Sequence, residues 1–292
     1  MNKYIIYDKS LWENQFIFQD LLNIDILTYN KVICINEKIN YSDITEWNKI
    51  DNFSDIINNN ILIFSSNNIK YAEILKIVKL IKPIIIIHLS DECGNKEEFQ
   101  GLADFTKILL RQHYHHNYVQ KDNIYYMPLG YMNGMLEKNY LDKRLKLPSE
   151  RKYKWSFIGN IKQDRQEMIN KMDLIKPNYV GKIDQQKMRD IYRDSIFIPN
   201  GRGFVKLDCF RLYEASICGA IPIVVGSQTE IKETFCKEEN PPWLTFNSWD
   251  NAKVGCVKLL EDINKLNKLS QENINWWKKR IIKLQILIQS YL

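Results

Sequence analysis

Residues 61–89 read ILIFSSNNIKYAEILKIVKLIKPIIIIHL. ILIFS (61–65) and PIIIIHL (83–89) are continuous apolar runs, the pattern of strands covered on both faces. Between them Ile69, Ile74, Leu75, Ile77, Val78 and Ile81 recur at helical spacing. Strand, amphipathic helix and strand in that order predict a parallel pair joined by a crossover helix. KYIIY (3–7) and KVICI (31–35) add two runs of the same kind. A helix-like stretch (97–109) leads to an edge strand near KILLRQHY, and IYYMPLGY (124–131) closes the first half. Pro128 and Gly130 break the pattern there, ahead of a charged stretch at 136–154.

A second series follows. KWSFIG (154–159), NYVG (178–181), IFIPN (196–200) and AIPIVV (220–225) read as strands. DRQEMINKMDLI (164–175), QQKMRDIYRDS (185–195) and CFRLYEASIC (209–218) read as the helices between them, and a helical tail covers roughly 251–292. Two successive βα series predict an α/β protein of two Rossmann-like domains facing each other across a cleft. The expected boundaries are 1–130, 131–270 and a C-terminal helix, 271–292, packing back toward the first domain. Ligands of open α/β sheets bind beyond the carboxyl ends of the strands, so the strand-exit loops hold the candidate residues.

The composition narrows the function classes. With 45% hydrophobic and 26% charged residues over 292 positions, the chain is globular. Its net charge of +6 comes from interspersed Lys and Arg with no basic arm, which suits an anionic small molecule better than nucleic acid. Heavy use of Asn, Ile and Lys reflects an AT-rich genome, viral or bacterial. Six scattered cysteines without a CxxC pair argue against a zinc site or disulfide framework and for a reducing compartment. MNKYIIYDKS lacks the apolar region of a signal peptide, and the longest apolar run, IIIIHL (84–89), is too short to span a bilayer. A cytoplasmic protein, in a host cytoplasm if viral, is expected.

Four polar strand exits carry chemistry. LSDECG places Asp91 and Glu92 beyond a buried strand, where a carboxylate serves as a general base or caps the next helix. After KWSFIG, Gly159 allows a ligand close to the backbone, with Asn160 beside it. Arg165 falls in the first turn of the next helix, where a cation opposes the helix dipole unless an anion joins it; pairing with Asp164 or Glu167 explains it equally well. Asn200 ends the strand before GRGFVKLD, whose Gly201 and Arg202 suit a phosphate, although the spacing matches neither nucleotide motif. Asp208, Arg211 and Glu214 recur every three residues along one face. That stripe is either a solvated salt-bridge ladder or a ligand-facing row, and the small Ala215, Gly219 and Ala220 favour close packing of the helix. RQHYHH (111–116) lacks i,i+4 zinc spacing, so no metal site is expected; His88 is placed on the first domain's side of the cleft, and Arg111, His113 and Tyr114 either line it there or sit on the ordinary surface.

SIFIPNGRGFVKLDCFRLYEASICGAIPIVV (195–225) resembles the C-terminal half of the exostosin glycosyltransferases. RLYEA followed by GAIP carries the resemblance, with weaker support from KWSFIGNIKQDRQEM and LTFNSWDN; together it covers roughly 154–250. HLSDE, LLRQHYH and MPLGY look more like compact viral and bacterial members, xylosyltransferases among them. The resemblance implies a GT-B enzyme: donor nucleotide-sugar on the second domain, acceptor on the first, and no bound metal or cofactor. It implies that Glu214 holds the donor ribose and that Arg165, Arg202 and Arg211 meet or support its diphosphate. Gly159, Asn160, Asn200, Gly201 and Asp208 complete that donor set. It further implies inversion in a single displacement, with Asp91 or Glu92 as base and a UDP-sugar, UDP-xylose among them, as donor to a glycan hydroxyl. The alternatives are a non-catalytic nucleotide- or glycan-binding module on a degenerate scaffold, and a sugar-nucleotide epimerase. The chain lacks the membrane anchor and luminal cysteines of the animal members, and its first 80 residues carry no part of the resemblance.

Overall fold

The computed structural model describes residues 3–35, 47, 49–137, 140 and 144–292. Part of the charged stretch 136–154, namely 138–139 and 141–143, lies outside the described residues. The chain divides into two compact units: residues 1–128 with 283–292, and residues 129–282.

The first unit is built on a six-stranded parallel sheet, in the order β2-β1-β3-β4-β5-β6. Its strands are β1 (Tyr4–Asp8), β2 (Val32–Ile35), β3 (Asn60–Ser65), β4 (Ile85–Leu89), β5 (Ile108–Arg111) and β6 (Ile124–Tyr126). The opening stretch folds as its periodicity predicts: β3 and β4 pair in parallel with Ile61 opposite Ile85, joined by the Tyr71–Ile81 helix. That helix buries Ile74, Ile77, Val78 and Ile81 against Leu62, Phe64 and Ile86, so its apolar stripe faces the sheet. Every residue of β3 and β4 is buried, which explains why neither strand alternates.

Two expectations need correction. The helix-like stretch at 97–109 is a 3-10 helix that ends earlier, spanning Glu97–Phe105. Gly101 lets it lie against Tyr71, since a Cβ there would sit 2.5 Å from the Tyr71 hydroxyl. Residues 108–111 are not an edge strand: β5 lies between β4 and β6, and β6 is the edge.

The second unit holds a five-stranded parallel sheet, ordered β11-β10-β9-β7-β8. Its strands are β7 (Tyr153–Ile158), β8 (Asn178–Gly181), β9 (Ser195–Asn200), β10 (Ile221–Val225) and β11 (Leu244–Phe246). Helices Arg165–Met172, Gln185–Arg193 and Phe210–Ile217 cross between strands as expected. The Gln228–Phe235 helix and β11 escape the periodicity reading, being short and mostly polar on the exposed side. The expected tail is two helices, Trp249–Leu260 and Ile263–Gln289. They part at Asp262, whose carboxylate accepts from the Lys265 amide as a new N-cap (3.0 Å). Trp155, Phe157, Met168, Met172, Phe197, Ile221 and Trp249 form the core of this unit.

Strand order locates the ligand site of such a sheet. After β7 the chain moves outward to β8, then returns to the other side of β7 to lay down β9. The loops leaving β7 and β9 therefore diverge and open a crevice between them.

Candidate functional site

Both loops at that switch point carry glycine. Gly159 follows β7 at φ +145°, and a Cβ there would lie 3.4 Å from Nη2 of Arg211. Gly201 follows β9, where a Cβ would collide at 2.5 Å with Cγ of Arg165. Each loop is held by the other. Arg165 donates to the Asn160 carbonyl (2.8 Å) and, through Nε and Nη2, to the Arg202 carbonyl (3.0 Å for Nε). The Arg202 amide donates to Asp164 (3.0 Å). Neither local pairing anticipated for Arg165, with Asp164 or with Glu167, is the arrangement found.

Arg211 rises into this crevice from the Phe210–Ile217 helix. The charged stripe is not a solvated ladder: Arg211 is 8% and Glu214 3% exposed, and every residue from Arg211 to Ile217 is buried. Nη1 of Arg211 donates to Asn200 Oδ1 (3.2 Å) and the Gly201 carbonyl (3.3 Å), and it approaches Cys209 Sγ (3.2 Å). Its Nε is buried with no partner, and among the described residues no carboxylate comes within ion-pair distance. The guanidinium lies 4.8 Å over the Phe157 ring, and that of Arg165 lies 5.8 Å from the same ring. A quadrupole offsets only part of the cost of burying a cation. Nη2 thus faces Gly159, with Tyr192 beside the guanidinium.

Glu214 stands one turn further along. Its Oε1 accepts from the Met132 amide (3.3 Å), and Oε2 accepts no hydrogen bond among the described residues. Burial pushes this carboxyl up to about 7, against smaller lowering effects from the Met132 amide and Arg211. Three neighbours of this recess carry no sequence signal and were missed: Met132, Gln185 and Tyr192. Gln185 contacts Met132 Sδ through Nε2 (3.5 Å) and leaves a buried Oε1 unpartnered. Tyr192 is fully buried with an unpartnered hydroxyl and interacts electrostatically with both Arg211 and Glu214.

Two members of the expected donor set are otherwise occupied. Arg202 forms a bidentate ion pair with Glu230, Nη2 to Oε2 at 2.7 Å. Asp208 lies before the helix, not on it, and accepts from the Tyr213 hydroxyl (2.8 Å). The stripe therefore reduces to Arg211 and Glu214.

In the first unit, Asp91 is a buried hub. Oδ2 accepts from Arg111 Nη2 and the Tyr118 hydroxyl (2.9 Å each), and Oδ1 accepts from the Asn95 amide (3.1 Å). Its carbonyl bonds His115 Nε2 (2.7 Å), and its φ is +77°. Glu92 beside it is half-buried. Arg111 is spent on this ion pair, with its side chain 1% exposed. His88 does not line a cleft. It is fully buried, stacked between Phe64 (5.1 Å) and Phe99 (4.9 Å), with both ring nitrogens unpartnered; burial and the nearby Arg111 hold it well below the usual imidazole range. Tyr114 packs edge-on against Tyr126 (5.1 Å), and His113 is 9% exposed at φ +51°.

Among the described residues no cluster of three or more His, Cys, Asp or Glu could hold a metal. No helix among them is long and apolar enough to cross a membrane.

No protein-family model and no curated protein sequence matches this chain. Solved structures do match over its full length. An alpha-glucosyltransferase in complex with UDP-glucose and DNA containing an abasic site aligns with a TM-score of 0.53 at 12% identity, over 97% of this chain and 98% of its own. The DNA-modifying enzyme beta-glucosyltransferase aligns with a TM-score of 0.53 at 12% identity, over 99% of each chain. HepE of Anabaena in complex with UDP and glucose gives 0.51 at 7% identity, over 99% of this chain and 98% of its own. At such identities the likeness speaks for the fold. The chain has the two-sheet α/β fold of GT-B glycosyltransferases.

Proposed function

We propose that the protein is a glycosyltransferase that takes a sugar from a UDP-sugar bound to its second unit and passes it to an acceptor hydroxyl. One observation carries this reading: Arg211 is a buried cation without a carboxylate partner, aimed at a glycine across the switch point of the sheet. A diphosphate placed there accepts from Nε and Nη2 of Arg211 and from backbone amides of the Gly159 and Gly201 loops. Arg165 and the Arg202–Glu230 pair act behind it, holding the two loops together. Glu214 Oε2 and Gln185 Oε1 then accept from the vicinal hydroxyls of a ribose. Uridine as the base is supported by the nucleotide in the UDP-bound neighbours and by the RLYEA–GAIP resemblance.

In the reaction, the acceptor oxygen attacks the anomeric carbon as the bond to the phosphate oxygen breaks. The guanidinium of Arg211 offsets the charge growing on the departing diphosphate. Inversion and a xylosyl donor belong to this proposal on the resemblance alone. A glycan or similarly uncharged acceptor is favoured by the charge division. The second unit carries 27 Lys and Arg against 19 Asp and Glu, whereas the first carries 14 against 16. The basic excess therefore sits with the proposed donor site and not where a polyanionic acceptor would lie.

Donor-dependent UDP release tests the site. It should be lost in folded Glu214→Ala and Arg211→Ala proteins; full activity in both would remove the assignment. UDP binding without any turnover in the wild type would support the non-catalytic binding module instead.

A further inference from the structure

The two loops that flank the crevice of the second unit run on past it. The loop leaving β7 continues through Ile161, Lys162 and Gln163, and the loop leaving β9 through Gly203, Phe204, Val205 and Lys206. The Gly203 amide donates to the Lys206 carbonyl (2.8 Å), which closes the second loop into a tip made of Phe204 and Val205. Gln163, at φ +54°, donates from Nε2 to the Phe204 carbonyl, and Nζ of Lys162 lies 5.2 Å over the Phe204 ring. Two segments 41 residues apart are thereby fastened tip to tip.

The paired tips carry apolar side chains into water. Phe204 is 66% exposed, Ile161 51% and Val205 47%. One exposed apolar residue is ordinary on a surface, whereas three on two tied loops make a patch of the kind that marks a contact. Exposed cations accompany it. Lys162 sits within the patch, and Lys182 lies at the same edge of the sheet, past β8, where the Gly181 carbonyl accepts from the Gly159 amide (3.1 Å). Carboxylates tied to these loops are engaged at their bases. Asp164 accepts from the Arg202 amide, and Glu230 pairs with the Arg202 guanidinium. Asp184, on the β8 side, caps the next helix and pairs with Lys187 (3.2 Å).

We propose that the paired tips, Ile161–Lys162 and Phe204–Val205, dock the second unit on an anionic membrane surface. Charge complementarity selects this occupant: apolar side chains enter the boundary between headgroups and acyl chains while the ammonium groups beside them meet lipid phosphates. The unit's excess of 27 Lys and Arg over 19 Asp and Glu adds a long-range attraction toward the same surface. Docking of this kind reaches only into the interface and requires no membrane-crossing helix. It uses neither Arg211 nor Glu214, so it stands or falls apart from the transferase reading. Where both hold, the donor crevice at the base of the same two loops works beside the bilayer.

The test is sedimentation of the whole chain with two kinds of vesicle, phosphatidylcholine alone and phosphatidylcholine with about a third phosphatidylserine. Wild type is compared with a triple variant, Ile161→Ser, Phe204→Ser and Val205→Ser, and with Lys162→Glu. Wild type should partition about tenfold or more in favour of the anionic vesicles, and the preference should shrink as salt is raised. The triple variant should lose about tenfold or more of that partitioning and Lys162→Glu about fivefold or more, with melting temperatures close to wild type. A wild type that stays in the supernatant, or sediments equally with both vesicles, would overturn the proposal. Anionic binding kept in the triple variant would overturn it too, by placing the contact on another basic surface. So would a wild-type dimer in size-exclusion chromatography that the triple variant dissolves into monomers, since the tips would then cover each other. Should the triple variant melt early, Lys162→Glu decides alone, because it alters one exposed side chain.

Discussion

Arg211→Met separates a ligand-binding cation from a structural one. In the protein without ligand, Arg211 makes three long hydrogen bonds, 3.2 Å to Asn200, 3.3 Å to Gly201 and a weak one, 3.2 Å, to Cys209 Sγ, each contributing about 1 kcal/mol at most. Against this stands a buried charge with no ionic partner, whose desolvation costs several kcal/mol. Methionine fills similar space over Phe157 and carries no charge. The two effects nearly cancel or favour the variant, so the melting temperature should stay within about 3 °C of wild type, or rise. The diphosphate, by contrast, loses two charge-assisted donors at about 1.5–3 kcal/mol each. Since each 1.4 kcal/mol is tenfold, UDP should bind about 100- to 10,000-fold more weakly. Differential scanning calorimetry and titration calorimetry read the two quantities on one preparation. A fall of more than about 6 °C with UDP affinity kept within threefold would refute the reasoning, because Arg211 would then serve the fold and not the ligand.

Gly159→Ala should weaken UDP binding at least tenfold, because the new methyl occupies the approach to Arg211 and the backbone there has φ +145°; affinity equal to wild type would place the diphosphate elsewhere. Asp91→Ala should cost about 3–5 kcal/mol of stability by stranding Arg111 in the interior, while UDP affinity stays unchanged; a chemical denaturation series checks it. His88→Phe should hold or raise the melting temperature, since two unpartnered buried nitrogens give way to a third ring between Phe64 and Phe99. Glu214 and Glu238, both pushed up to about 7 by burial, give a signed pH dependence. The native state holds more protons than the unfolded chain between the ordinary glutamate range and about pH 7, so ligand-free stability should fall as pH rises through 7. In Glu214→Gln the drop in melting temperature from pH 5 to pH 8 should shrink; an unchanged drop would contradict the assigned cause.

The sheets were legible because parallel strands buried on both faces are near-continuous apolar runs, as ILIF (61–64), IIII (84–87), IFIP (196–199) and IPIVV (221–225) are. Arg211 and Glu214 were legible as a pair because a helix imposes their spacing. The partners were not, since they come from distant segments. Glu230 neutralises Arg202 from 28 residues away, and Arg111 closes on Asp91 from 20 away. No local pattern shows that Asp91 is held by three donors, two of them 20 and 27 residues away. His88 misleads for the same reason: a polar residue ending an apolar run suggests a site, whereas the two rings that enclose it lie on β3 and on the 3-10 helix at 97–105. The contact of Gly101 with Tyr71, which lets that helix lie close, is likewise tertiary and leaves no local pattern.

The central claim is that the second unit binds a uridine diphosphate sugar between Gly159, Arg211 and Glu214. A thermal-shift panel of UDP-, GDP- and CMP-sugars on the unmodified protein tests it most directly, because a ligand at 100 times its Kd stabilises the native state by about 2.7 kcal/mol. The account predicts that UDP-sugars and UDP raise the melting temperature, and that GDP- and CMP-sugars leave it in place. A panel in which no UDP compound shifts the transition, or in which only a GDP- or CMP-sugar does, would contradict it.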